Sequence, residues 1–287
     1  MGQPLSDRRF LIPLLRALLI QFFAASGWAA ASDVGALWRE AESRVGISVF
    51  VPSTPQFPDY QRPGVTFVPL NVAEPRGGDA LGAALYLRSY IDEFSKYPRS
   101  FLRRVNVEWV AFVKGLRVGE EPRAATYLRS YAPTTMAPHG GMVYDVRQGA
   151  YDRAYLRQVL HHEFFHFIDY GVQTGGEDDA NWLAMNPHGF RYTGKMASFS
   201  HRLDHPAPGI ITTYSARSSW EDRAELFAAL MDEETWPRLK EIADTDPVVR
   251  RKIRYLVRLL ERIDPAMGSG YFRTRLGEYW QPLTRSP

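Results

Sequence analysis

The chain has no cysteine among its 287 residues. That removes disulfides, thiolate nucleophiles and sulfur-ligated metal sites together, so a bound metal would have to be held by nitrogen and oxygen donors. A marked excess of one charge is also missing. Thirty-five lysines and arginines stand against 32 aspartates and glutamates, a formal net charge of +3. The two signs are interspersed, which is the pattern of a solvated surface rather than a nucleic-acid stripe. There are no internal repeats and no low-complexity segment, and the composition is neither disordered nor collagen-like. Beyond residue 31 no apolar run is long enough to span a bilayer.

The long apolar run that does exist lies at the start. Arg8 and Arg9 precede a stretch from Phe10 to about Ala25, and small residues follow at Ala29 and Ala31. This is the arrangement of a secretory signal peptide over residues 1–31, cleaved near Ala29–Ala31. Pro13 and Arg16 interrupt the run, which disfavours a permanent anchor. Removing it takes away three arginines and one aspartate and leaves a mature chain of net charge +1. The expected product is a secreted or periplasmic protein with one domain over 32–287.

Hydrophobic residues make up 45% of the chain and aromatics 13%, enough for one sizeable core. A short helix is predicted over 32–46, closed by Gly46. A strand follows over 65–72, which Pro69 marks as an edge or a bulge. Apolar residues at helical spacing cover 80–98, stopped by Pro98, and the valine-rich 104–119 reads as one strand or as two joined at a turn. "MVYDV" (142–146) is a short strand after a glycine pair. Helices are predicted over 152–170, 218–234 and 246–264. The fold class is α+β, with a small mixed sheet and a helical C-terminal part.

The chemistry concentrates in "RQVLHHEFFHFIDY" (157–170). His162 and His166 stand four apart, so on a helix both imidazoles leave the same face and can share one zinc ion. Glu163 is placed to take a proton from a water at the same metal. His161 has phenylalanine at its own fourth position and reads as a helix-flank residue. Asp169, in the turn beyond His166, is a candidate supporting or capping carboxylate. The metzincin extension is excluded, because the places for its glycine and histidine hold Asp169 and Val172. The third ligand is then a downstream carboxylate, or His188, His201 or His205.

The later helix "SSWEDRAELFA" carries Glu221 and Glu225, again four apart, with Ala224, Phe227 and Ala228 between and beyond them. A carboxylate on the buried side of a helix needs a partner. Glu221 as ligand and Glu225 as support for a histidine ring is one coherent arrangement; acids favouring a helix N-terminus is the other. Tyr214, seven residues ahead of Glu221, can either donate a hydrogen bond to an oxyanion or pack the loop.

"HEFFHFIDY" with Y-x6-E-x3-E, formed by Tyr214, Glu221 and Glu225, resembles the catalytic domain of anthrax lethal factor and the bacterial Pro-Pro endopeptidases, zinc metallopeptidases of the gluzincin type. "NWLAMNPHGFRY" (181–192) is similar to a group of secreted zinc-binding metallopeptidase-like proteins. The resemblance covers about 150–230. It implies a zincin-like fold and one Zn2+ on His162, His166 and Glu221. It further implies Glu163 as general base, Glu225 behind a histidine ligand, and Tyr214 at the oxyanion. In such a fold a short edge strand lies beside the cleft and receives an extended protein or peptide substrate, a role expected here of "MVYDV". Residues 171–213 would then be an insertion lining or covering the cleft. The functional expectation is a secreted zinc endopeptidase. The alternative is a catalytically inactive zincin-fold binding protein that retains structural zinc.

Overall fold

The computed structural model describes residues 34–51, 64–73, 77–130, 139–147, 152–172, 179–195 and 202–284. The expected signal segment and His201 lie outside them. In chain order the elements begin α1 (Val34–Val45), β1 (Ser48–Phe50), β2 (Val65–Val68), α2 (Gly78–Phe94), α3 (Arg99–Arg104) and β3 (Val107–Val118). They continue β4 (Glu121–Pro122), β5 (Ala125–Ser130), β6 (His139–Asp145), α4 (Arg153–Val172) and α5 (Ala180–Ala184). The C-terminal part is helical: α6 (Ser219–Met231), α7 (Trp236–Thr245), α8 (Pro247–Ile263), α9 (Ser269–Leu276) and α10 (Trp280–Thr284). The chain is thus a mixed α and β protein with a small mixed sheet and several helices.

The sheet is built around β3, a single strand from Val107 to Val118 and not a turn-joined pair. It pairs in parallel with β1 and β6, while β2 and β4 add antiparallel at its far end. Both faces of β3 are covered, so it reads as a near-continuous apolar run instead of an alternating one. Phe112 packs on Tyr86 and Tyr90 of α2 and on Tyr144 of β6. Trp109, Ala111 and Val113 form a second cluster on the opposite face. Across from Trp109 stands Gly141, where an added Cβ would lie 2.2 Å from the indole ring; only glycine admits the large neighbour.

The structure corrects one expectation of the sheet. "MVYDV" is not an edge, because β6 pairs with β3 on one side and antiparallel with β5 on the other. Among the described residues the edge strand of that end is β5, a stretch assigned no element from the sequence. Its run Ala-Thr-Tyr-Leu-Arg-Ser mixes polar and apolar residues without clean alternation, so its pairing depends on a neighbour brought in from residues 139–145. Tyr127 of β5 lies 5.6 Å from Tyr170 of α4, centroid to centroid, which seats the edge strand against that helix.

Helix α4 begins where Asp152 accepts a hydrogen bond from the Tyr155 amide. Leu156, Leu160, Phe164, Phe165, Phe167 and Ile168 are all buried, so the helix runs through the core with apolar side chains on several faces. Helix α6 packs against it after an N-cap at Ser218, whose hydroxyl accepts from Glu221 N. Helix α8 docks its apolar side into the same core through Val249, Ile253, Leu256 and Leu260.

Candidate metal centre

Helices α4 and α6 bring three ligand-type atoms to one point. His162 Nε2 and His166 Nε2 are 3.0 Å apart. Glu221 Oε2 is 3.1 Å from the first and 3.2 Å from the second. Two imidazoles and a carboxylate satisfy the nitrogen-and-oxygen donor set that a cysteine-free chain allows. The edges of this triangle are close to the roughly 3.3 Å separating neighbouring ligands around a tetrahedral ion with bonds of about 2.0–2.1 Å. The residues present therefore fit a zinc-type ion. His162 is 2% exposed, while His166 and Glu221 keep 12% and 13%, so the cluster has a buried back and a narrow opening.

Behind it stands Glu225, fully buried. Its Oε1 accepts from His162 Nδ1 at 2.8 Å. Its Oε2 accepts from Gln158 Nε2 at 3.1 Å and from Thr212 Oγ1 at 2.8 Å. In the neutral ring, a proton on Nδ1 leaves the Nε2 lone pair directed at Glu221 and His166. Gln158 and Thr212 were not singled out from the sequence. Gln158 lies one turn before His162 on the same helix face, and that spacing was the available signal.

The electrostatics of the cluster favour positive charge at His162. Burial disfavours a charged His162, but its hydrogen bonds to Glu221 and Glu225 outweigh that and push its pKa up to about 10. Burial likewise raises Glu221, yet the hydrogen bonds and charges of His162 and His166 hold it well below the usual carboxylate range. Glu163 lies within the electrostatic reach of both histidines and Glu221. Burial is the main influence on it and raises its carboxyl above the ordinary value. Tyr214 sits 3.3 Å from Glu221 Oε1, donating through its hydroxyl, and burial with the nearby acids raises its phenol far above the ordinary value.

Other sequence-predicted residues go elsewhere. Asp169 is bonded to an arginine: its Oδ2 accepts from Arg223 Nε at 2.9 Å and Nη2 at 2.7 Å, a buried ion pair joining α4 to α6. The expectation placed it one turn beyond His166, but the helix directs it to the α6 residue that follows Glu221 by two. His205 bonds Asp246 Oδ2 at 3.0 Å and His188 is exposed, so neither reaches the cluster. His161 is buried instead of flanking. Its Nδ1 meets the Tyr97 hydroxyl at 2.6 Å and its Nε2 meets Glu93 Oε2 at 2.7 Å, on the side of α4 that faces α2.

Within the 171–213 stretch, residues 179–195 lie beside the centre. Leu183, Tyr192 and Gly194 line a recess of about 500 Å³ together with Arg217, Trp220 and Glu221. Trp220 stands 6.1 Å from the His166 ring and 6.3 Å from Tyr170. No helix among the described residues is long and apolar enough to cross a membrane. Comparisons with protein-family models, with curated proteins and with solved structures return no match.

Proposed function

We propose that the chain is an exported, zinc-dependent endopeptidase of the gluzincin type, with a zincin-like fold similar to that of the lethal factor catalytic domain and the Pro-Pro endopeptidases. The observation that carries this is the convergence of His162 Nε2, His166 Nε2 and Glu221 Oε2 within 3.0–3.2 Å of one another, backed by Glu225 on the outer nitrogen of His162.

A zinc ion bound by these three residues supplies a Lewis acid that makes water a nucleophile near neutral pH. Glu163 follows the first ligand and accepts the proton that water gives up as it attacks the peptide carbonyl. Its raised pKa suits it to return that proton to the leaving amine. Tyr214 remains protonated across the working range and donates to the carbonyl oxygen as negative charge develops there. Glu225 holds the His162 ring in one tautomer. Strand β5 at the edge of the sheet, rather than "MVYDV", offers main-chain groups to an extended peptide.

The test is the Glu163→Gln variant of the mature chain, loaded with zinc and assayed on a diverse peptide library. Zinc content is expected to stay at one ion per chain while hydrolysis falls by about 10³-fold or more. Hydrolysis at the wild-type rate in this variant refutes the role of Glu163. Zinc binding by the wild type with no turnover on any peptide places the chain with inactive zincin-fold binding proteins.

A further inference from the structure

Arg217 belongs to neither of the motifs that drew attention in the sequence. It closes the short 3-10 turn Ser215–Arg217 that leads into the Ser218 cap of α6. Its Nη1 donates to the Tyr214 hydroxyl at 3.3 Å and to Glu221 Oε1 at 3.3 Å. The turn is fixed from both ends. Arg217 N donates to Tyr214 O at 3.1 Å, and Arg217 O accepts from Gly194 N at 3.0 Å, while Thr193 N donates to Ala216 O. The segment 179–195 therefore braces the backbone that carries this arginine.

Glu221 has two carboxylate oxygens with different partners. Oε2 faces the histidines, whereas Oε1 accepts from Tyr214 and Arg217. The terminal torsion of a glutamate is soft and roughly two-fold, so the carboxylate needs outside partners to hold one orientation. A guanidinium is always charged and presents its donors in a rigid fork, which makes it a strong anchor for that purpose. By donating to the phenol oxygen as well, Arg217 fills an acceptor site on Tyr214, whose own proton is donated to Glu221 Oε1.

We infer that Arg217 is a positioning residue of the proposed centre. It fixes Glu221 with a single oxygen toward the two histidines, and it orients the Tyr214 hydroxyl as a donor. The pattern Tyr-x2-Arg-x3-Glu is thus one local device that delivers a ligand and a donor together. This role rests on the zinc-peptidase proposal, and the experiment separates the two.

Zinc affinity is measured by chelator competition on the full mature chain as wild type, Arg217→Ala and Arg217→Lys, with the unfolding midpoint of each metal-free protein as the fold check. Arg217→Ala is expected to weaken zinc binding by about 10-fold or more, and Arg217→Lys to recover most of it. Where the library yields a cleaved peptide, kcat of Arg217→Ala is expected to fall by about 10²-fold with KM within about threefold, the split expected of a residue that acts through Glu221 and Tyr214. Adding Tyr214→Phe to Arg217→Ala is expected to cost less than the product of the two single losses, because the two act on one donor. Zinc affinity and kcat of a folded Arg217→Ala within about threefold of wild type overturn the positioning role alone. If Arg217→Ala does not fold, an Arg217→Lys variant no closer to wild type than Arg217→Gln, both folded, overturns it. Failure of the wild type to take up zinc overturns the metal-site proposal, and this role with it.

Discussion

A side chain acquires its chemistry from its partners, and the three histidines of α4 illustrate this. His161 and His162 are adjacent, yet one is held between Tyr97 and Glu93 and the other between Glu221 and Glu225. Burial lowers the pKa of His161, while the two carboxylates raise that of His162 to about 10. A proton on His162 competes with a metal for the same nitrogen. With that pKa raised, zinc has to displace a proton from His162 in the physiological range. Zinc affinity is expected to rise by about tenfold per pH unit between pH 6 and 8, with close to one proton released per ion. Calorimetry in buffers of different ionisation enthalpy measures that proton count. An affinity that does not change with pH would contradict the His162–Glu221–Glu225 arrangement.

At the scale of elements, the centre depends on how α4 meets α6 and how α4 meets α2. The first contact is pinned by Asp169 and Arg223, 1% and 0% exposed. Removing one partner of such a pair strands the other charge in the core. Asp169→Ala is expected to destabilise the fold by about 3–5 kcal/mol, read from the urea midpoint, while replacing both members by apolar residues of similar volume costs far less. The second contact runs through Glu93, which also pairs with Lys96. Burial works to raise the Glu93 carboxyl, but His161 and Lys96 outweigh it and bring its pKa from 4.5 to about 2. A carboxylate with a depressed folded pKa contributes stability that is present above 4.5 and lost as pH falls toward 2. Denaturant midpoints of the wild type are expected to drop through that window, and those of Glu93→Gln to drop less.

Several elements and contacts were legible in the sequence because they are local. The i, i+4 spacing of His162 with His166 and of Glu221 with Glu225, the serine cap of α6 and the limits of α8 follow from helix geometry. What was missed is non-local. Strand β5 carries no strong periodic signal and is recognisable only beside β6. Asp169 was placed on the correct helix as a supporting or capping carboxylate without a named partner, because the turn beyond a ligand does not say which neighbouring helix it faces. Lys252, not singled out from the sequence, is 1% exposed and bonds Asp222 at 2.6 Å and Gly209 O at 2.8 Å. Asp222 also accepts from Trp182 and Tyr192, which ties residues 182–192 to the helix that bears Glu221.

At the scale of the whole molecule, the candidate ligands come from two helices separated by more than fifty residues of chain. An ion bound there crosslinks α4 and α6 in the folded state and has no equivalent site in the unfolded chain. At a free zinc concentration of 100 times its dissociation constant, the added stability is about 2.7 kcal/mol. For a domain of this size that corresponds to a rise in Tm of about 5–10 °C. The rise is expected in Tm scans with added zinc and should vanish with a chelator. Equal Tm values in both conditions would argue against metal binding across the two helices.

By itself, the sequence determined the available chemistry: no sulfur ligands, two histidines on one helix face, and two glutamates on another. It also determined that one large core could form. These follow from composition and from the 3.6-residue period, which are properties of short stretches. Only the tertiary structure decided that Glu221 meets the pair while His188 and His205 lie elsewhere, that Asp169 pairs with Arg223, that β5 forms the edge among the described residues, and that Arg217 reaches both Tyr214 and Glu221. Those outcomes depend on how helices and strands distant in the chain pack around a shared core, and no local period encodes the choice of neighbour.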